Sequence, residues 1–208
     1  MNPGYWSLII ISVTFVLLAT GWKETIIGNV TNRALFLFFA AWIALSPFNV
    51  RLEAARVGVN LSVVLLGFVA SVALFRGRTT RSRLQLAEFG LLLAPFFFLF
   101  RYLAETNPFL SELLSGPTTA VALGSLTVLA TRNGLEQIGC VTIGLLVGHA
   151  LLLYDRPGYA VLGGPSFRDD WWLAVAAARS ETVVLQSVRV AFRGARQSVR
   201  LRRKDVRK

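Results

Sequence analysis

The feature that most constrains this chain is the length of its uncharged stretches. Between Arg33 and Arg51 lie 17 residues without a charge, "ALFLFFAAWIALSPFNV", and between Arg56 and Arg76 lie 19 more. Residues 4–22 are also uncharged, with Tyr5 and Trp6 at one end and Trp22 at the other, as rings anchored at two membrane–water boundaries would be. Residues 84–103 hold only Glu88 and Arg101, and residues 113–131 and 137–154 hold no acid, lysine or arginine. A helix needs about 17–25 such residues to cross the hydrocarbon of a bilayer. Only 16% of the 208 residues are charged, against roughly a quarter in soluble domains. The expected class is all-α, a polytopic helical membrane bundle.

Charge decides how many times the chain crosses. The loop "RGRTTRSR" carries four arginines and no acid, whereas the segment after residue 103 carries Glu105 and Glu112 and no base. Basic loops stay on the cytoplasmic side, so the first loop belongs inside and the second outside. Six crossings would then strand residues 189–208, with nine basic residues and one acid, on the outer side. A seventh crossing through "WWLAVAAARSETVVLQSVRVAF" restores the rule. It places the N-terminus outside and the C-terminus in the cytoplasm. The loop holding Arg51, Glu53 and Arg56 is the one exception. The organisation expected is a transmembrane bundle over residues 1–192 and a basic cytoplasmic tail over 193–208.

The alternative is six crossings followed by an interfacial helix. Arg179, Gln186, Arg189, Arg193, Gln197 and Arg200 share one side of a helical wheel, opposite Val184, Val188, Ala191, Phe192 and Ala195. Such a basic amphipathic helix lies in the headgroup plane. In either case Arg193, Arg196, Arg200, Arg202, Arg203 and Lys204 suit anionic lipid headgroups, at about 1 kcal/mol per basic residue, or an acidic protein partner. The net charge of +11 is not a nucleic-acid signal, because the bases flank apolar spans instead of lining a folded soluble face. The N-terminal 22 residues read as a retained helix, since no base precedes the apolar run and no small-residue cleavage site follows it.

Polar groups inside the spans are few: Glu88, Arg101, His149, Arg179 and Glu181. If the last span begins at Trp171, Arg179 lies about 12 Å deep and Glu181 about 15 Å deep. An ion there costs several kcal/mol unless paired or wetted. Two positions apart on a helix, the two face opposite ways, so each needs a partner from another helix. Glu88, Arg101, His149 and Asn60 are the candidates. Metal ligation needs paired ligands at helical spacing, and the lone Cys140 and lone His149 supply none.

Small residues form two stripes. Gly116, Ala120 and Gly124 recur every fourth position in the fifth span, and Cys140, Gly144 and Gly148 do so in the sixth. Spacing of four sets each stripe on one face, where backbones can approach closely. The short "RNGLEQ" connection makes these two helices antiparallel neighbours, and the expectation is that the stripes pack face to face.

No nucleophile elbow, phosphate-binding glycine loop or dinucleotide fingerprint occurs. No pair of carboxylates in one span suggests acid–base catalysis. The expected role is a non-catalytic membrane component, namely a scaffold, regulator or assembly partner, with no cofactor. Its partners would be the bilayer, anionic lipids, and another membrane protein or a second copy of the chain. The alternative is a small transporter or channel subunit using Glu88, His149, Arg179 and Glu181. Pro47 and Pro95 interrupt two spans, as in transporters, but the two halves of the chain show no internal similarity.

The segments "LLATGWKE", "LFLFFAAW" and "GGPSFRDDWW" before a final helix together resemble the YphA-like family of small bacterial integral membrane proteins. The resemblance implies a bacterial inner (cell) membrane location. It carries no catalytic residue.

Overall fold

Among the described residues there are seven helices of 14 residues or more, six of them over the stretches with few or no charges. They are α1 (Tyr5–Ala19), α3 (Asn32–Leu45), α4 (Ser62–Phe75), α5 (Thr80–Thr106), α7 (Gly116–Ala130), α8 (Gly134–Asp155) and α9 (Pro165–Asp205). Two short helices, α2 (Lys23–Ile26) and α6 (Pro108–Leu113), sit in connections. The computed structural model describes residues 2–28, 30–52, 57–76, 80–114, 116–155 and 160–205.

Local chemistry sets several of the boundaries. The Thr31 hydroxyl accepts from the Ala34 N–H at 3.3 Å to start α3, and Pro47 lies just past the end of that helix. Pro117 occupies the first turn of α7, where its missing N–H costs nothing; Ser115, a residue type suited to cap a helix there, lies outside the described residues. At the start of α8, the Asn133 side chain accepts from the Leu135 N–H at 3.1 Å. Glu136, three residues on, is gripped by Thr131 and Asn133. Pro95 does not break α5, which continues to Thr106.

One departure from an all-helical chain stands out. Strands β1 (Asn49–Leu52) and β2 (Val57–Asn60) form an antiparallel hairpin, and β3 (Ala160–Leu162) adds to β2 in parallel. The third apolar stretch therefore begins as strand and is helical only from Ser62. Asn60 is correspondingly not a residue inside a helix. It is buried at the end of β2, donates to the Ser46 carbonyl at 2.8 Å and accepts from the Ser62 N–H at 2.9 Å, which starts α4. β-branched Val50, Val57, Val59 and Val161 favour this strand geometry, a signal masked by their apolar surroundings.

The contacts define two ends. At the sheet end meet the start of α1, the three strands, Arg101 of α5 and the start of α9. At the opposite end, called here the arginine end, meet α2, the turn into α8 and Arg179. The seven longer helices run alternately between them. Two of these, over Ser82–Thr106 and Gly134–Tyr154, are long and apolar enough to cross a membrane. Four others are apolar but only 14 or 15 residues long.

The exterior is far more apolar than that of a water-soluble bundle. Phe36, Leu37, Ile43, Phe68, Phe75 and Leu129 are each more than half exposed, whereas Ser62, Thr119, Thr127, Gln137, Thr142 and Thr182 are buried. The core is built on Leu66, Leu93, Phe97, Leu123, Leu145, Phe167 and Trp171.

The glycine stripes pack, but not against each other. A Cβ on Gly144 would lie 2.6 Å from the Leu93 Cβ, and one on Gly148 would lie 2.8 Å from a Phe97 ring carbon. The Cys140 thiol approaches the Leu86 carbonyl at 3.6 Å. The α8 stripe thus receives the large side chains of α5, its parallel neighbour. Gly124 of α7 meets the Ala174 carbonyl and the Ala177 Cβ of α9, while Ala120 is fully buried and Gly116 makes room for the Arg101 guanidinium. The expected face-to-face pairing of α7 and α8 is therefore corrected. A short turn makes two helices adjacent without fixing which faces meet, and "LAVAAA" in α9 is the small-residue complement that α7 uses.

Candidate functional site

The most densely bonded part of the chain is the first half of α9, which touches both ends of the bundle. At the sheet end, the Asp169 carboxylate accepts from the N–H groups of Gly4 at 2.7 Å and Ser7 at 2.6 Å. It caps α1 from a helix more than 160 residues away, where exposed N–H groups and a carboxylate attract. Asp170, almost fully buried, forms an ion pair with Arg101, whose guanidinium also lies 5.7 Å from the Phe97 ring centre. Trp171 donates its indole N–H to Thr142 of α8 at 2.9 Å and stacks on Trp42 of α3 at 5.5 Å. Phe167 meets His149 edge-on at 5.3 Å, and the other ring neighbour of His149 is Phe97 at 5.9 Å. "FRDDWW" is therefore a hub joining α1, α3, α5 and α8.

Arg179 organises the arginine end. It is 7% exposed. It donates to the Thr25 carbonyl at 2.9 Å, to the Ile26 carbonyl, and to the Gln137 side-chain oxygen at 2.8 Å. Gln137 in turn donates to the Thr131 carbonyl at 2.8 Å and to the Thr182 hydroxyl at 2.7 Å. Three neutral acceptors thus hold the cation, one from the first turn of α8 and two from the segment linking α1 to α3. This corrects the depth expected from the sequence: Arg179 lies level with loop backbone at one end of the bundle, and none of Glu88, Arg101, His149 or Asn60 is its partner. The error came from beginning the crossing at Trp171, when α9 is already packed from Phe167 onward.

Glu181 turns the other way, as two helical positions require, and accepts from Ser125 of α7. Glu88 is exposed on α5 and shares a groove of about 600 Å³ with Gln85, Thr131, Glu136 and Cys140. The five polar residues singled out from the sequence are therefore dispersed. Arg101 and His149 lie near the sheet end, and Glu88, Arg179 and Glu181 lie towards the other end in separate contacts. Among the described residues no cluster of three or more His, Cys, Asp or Glu could hold a metal.

Packing of α9 ends near Thr182. From Val184 to Arg193 every residue is exposed, although the helix continues unbroken to Asp205. The division expected at residues 192 and 193 falls inside this projecting part, which is about 33 Å long over residues 183–205. Arg193 is exposed. Arg196, Arg200, Arg202, Arg203 and Lys204 continue the helix, and their side chains lie outside the described ones.

Sequence reasoning missed Asp169 and Asp170. The available signal was their adjacency in a chain with only 11 acidic residues, directly before two tryptophans. No family model matches the chain, and neither does any curated protein or any solved structure.

Proposed function

We propose that the chain is a seven-span, non-catalytic membrane component that holds a basic helix against the cytoplasmic face. The observation carrying this reading is the apolar surface. Large apolar side chains cover the outside, while the buried ionic groups Asp170 and Arg179 find partners within the bundle near its two ends. Lipid solvates such a surface, and water does not. Four helices of 14 or 15 residues rise only about 21–23 Å, so the bilayer thins locally or the aromatic ends extend the spans.

The positive-inside rule puts the arginine end and the projecting half of α9 in the cytoplasm. There the exposed basic helix meets anionic headgroups or an acidic partner. The bacterial inner membrane rests on the resemblance to the YphA-like family. A polar pathway for a solute would need acids and bases spaced through the mid-length of the bundle. Here Glu88, Arg179 and Glu181 gather towards one end, Arg101 and His149 towards the other, and Phe97, Leu123, Val141 and Leu145 fill the space between.

Reconstitution in sealed liposomes with an internal pH dye tests this. Proton flux should equal that of empty liposomes. Flux that is lost in Glu88→Gln or Arg179→Ala would overturn the reading in favour of a transporter.

A further inference from the structure

Between α1, α3, α4, α8 and α9 lies a cavity of about 490 Å³, within the roughly 300–1,000 Å³ common for ligand sites. Its walls are hydrocarbon and aromatic, formed by Phe38, Phe39, Leu65, Val69 and Trp172. Only at the arginine end does the lining become charged, through Arg76 and Arg179. Resting on the bilayer reading above, we propose that this cavity binds one anionic phospholipid. Its phosphate lies at Arg76 and Arg179, and one acyl chain lies along Trp172.

Three observations converge on that occupant. The first is length. From Arg179 back to Trp171 the cavity follows α9 for about 12 Å, an apolar track that leads an acyl chain away from the cationic end. The second is access. Leu37 and Phe68 both line the cavity and are each 66% exposed, so it opens sideways towards lipid. The third is charge. The buried Arg179 guanidinium is held by neutral oxygens and, among the described residues, pairs with no carboxylate, and basic pockets between helices on the cytoplasmic side suit anionic headgroups.

The test uses the full chain in bilayer discs of neutral phosphatidylcholine, doped with acyl-brominated phosphatidylglycerol or acyl-brominated phosphatidylcholine, with tryptophan fluorescence as readout. Brominated phosphatidylglycerol should quench in a saturable step at low mole fraction, and brominated phosphatidylcholine only in proportion to its amount. Arg76→Gln should weaken the saturable step about fivefold, the equivalent of about 1 kcal/mol for one basic residue. Val69→Phe, which fills the cavity, should abolish it while circular dichroism stays unchanged. Equal, non-saturating quenching by both lipids, or a step that survives both substitutions, overturns the proposal while leaving the bilayer reading intact. If neither lipid quenches at all, the chain is not in the bilayer, and the proposal falls together with that reading.

Discussion

The two ends of this bundle solve one problem differently. At the sheet end a partly buried cation meets a buried anion, Arg101 with Asp170, and a second carboxylate, Asp169, binds the backbone of α1. At the arginine end a buried cation meets no carboxylate among the described residues; Arg179 is held by two backbone carbonyls of α2 and the Gln137 amide. The first arrangement locks helices together and pairs the guanidinium with an acid. The second fixes a connecting segment in place and keeps a positive charge beside a cavity and an exposed basic helix. One end is built for closure, and the other is left able to attract an anion.

That contrast can be broken by substitution, read as unfolding in mild detergent. Asp170→Ala should have the largest effect, about 3 kcal/mol, because it leaves the partly buried Arg101 guanidinium without its acid partner. The double variant Asp170→Ala with Arg101→Met should be more stable than Asp170→Ala alone, since it removes the orphaned charge. A double variant as unstable as the single one would show that Asp170 acts through packing and not through pairing.

Arg179→Ala should cost less, about 2–3 kcal/mol, because the acceptors it abandons are neutral and lie near loop backbone. A cost above that of Asp170→Ala would erase the distinction between the ends. Asp169→Ala removes only a helix cap and should cost about 1 kcal/mol, with fraying confined to the first turn of α1 in amide exchange. Truncation after Ser187 deletes only helix that packs on nothing described. It should change stability by less than about 0.5 kcal/mol; a larger loss would mean that the projecting half of α9 docks back on the bundle.

Much of this architecture was legible in the sequence. Stretches with few or no charges marked six of the longer helices, charge asymmetry called for the seventh, and wheel geometry separated Arg179 from Glu181. Spacing of four identified the close-packing glycines. What escaped follows from local signals that look alike in an apolar chain. Strand β2 (Val57–Asn60) is as uncharged as the helix α4 that follows it, so composition could not separate the two. Partner choice between stripes depends on rotation about each helix axis, which a three-residue turn does not specify. Asp169 and Asp170 lie just before the start expected for the last span and have no signal of their own, whereas tertiary contacts from Gly4, Ser7 and Arg101 make them the structural hub.

The central claim is that an odd number of crossings separates the sheet end from the basic helix, and cysteine accessibility tests it most directly. In a Cys140→Ala background, Ser111→Cys reports on α6 beside the sheet end and Ser187→Cys on the projecting part of α9, both at exposed positions. A membrane-impermeant maleimide added to intact cells should label Ser111→Cys and reach Ser187→Cys only after permeabilisation. Labelling of both from the same side would contradict the account.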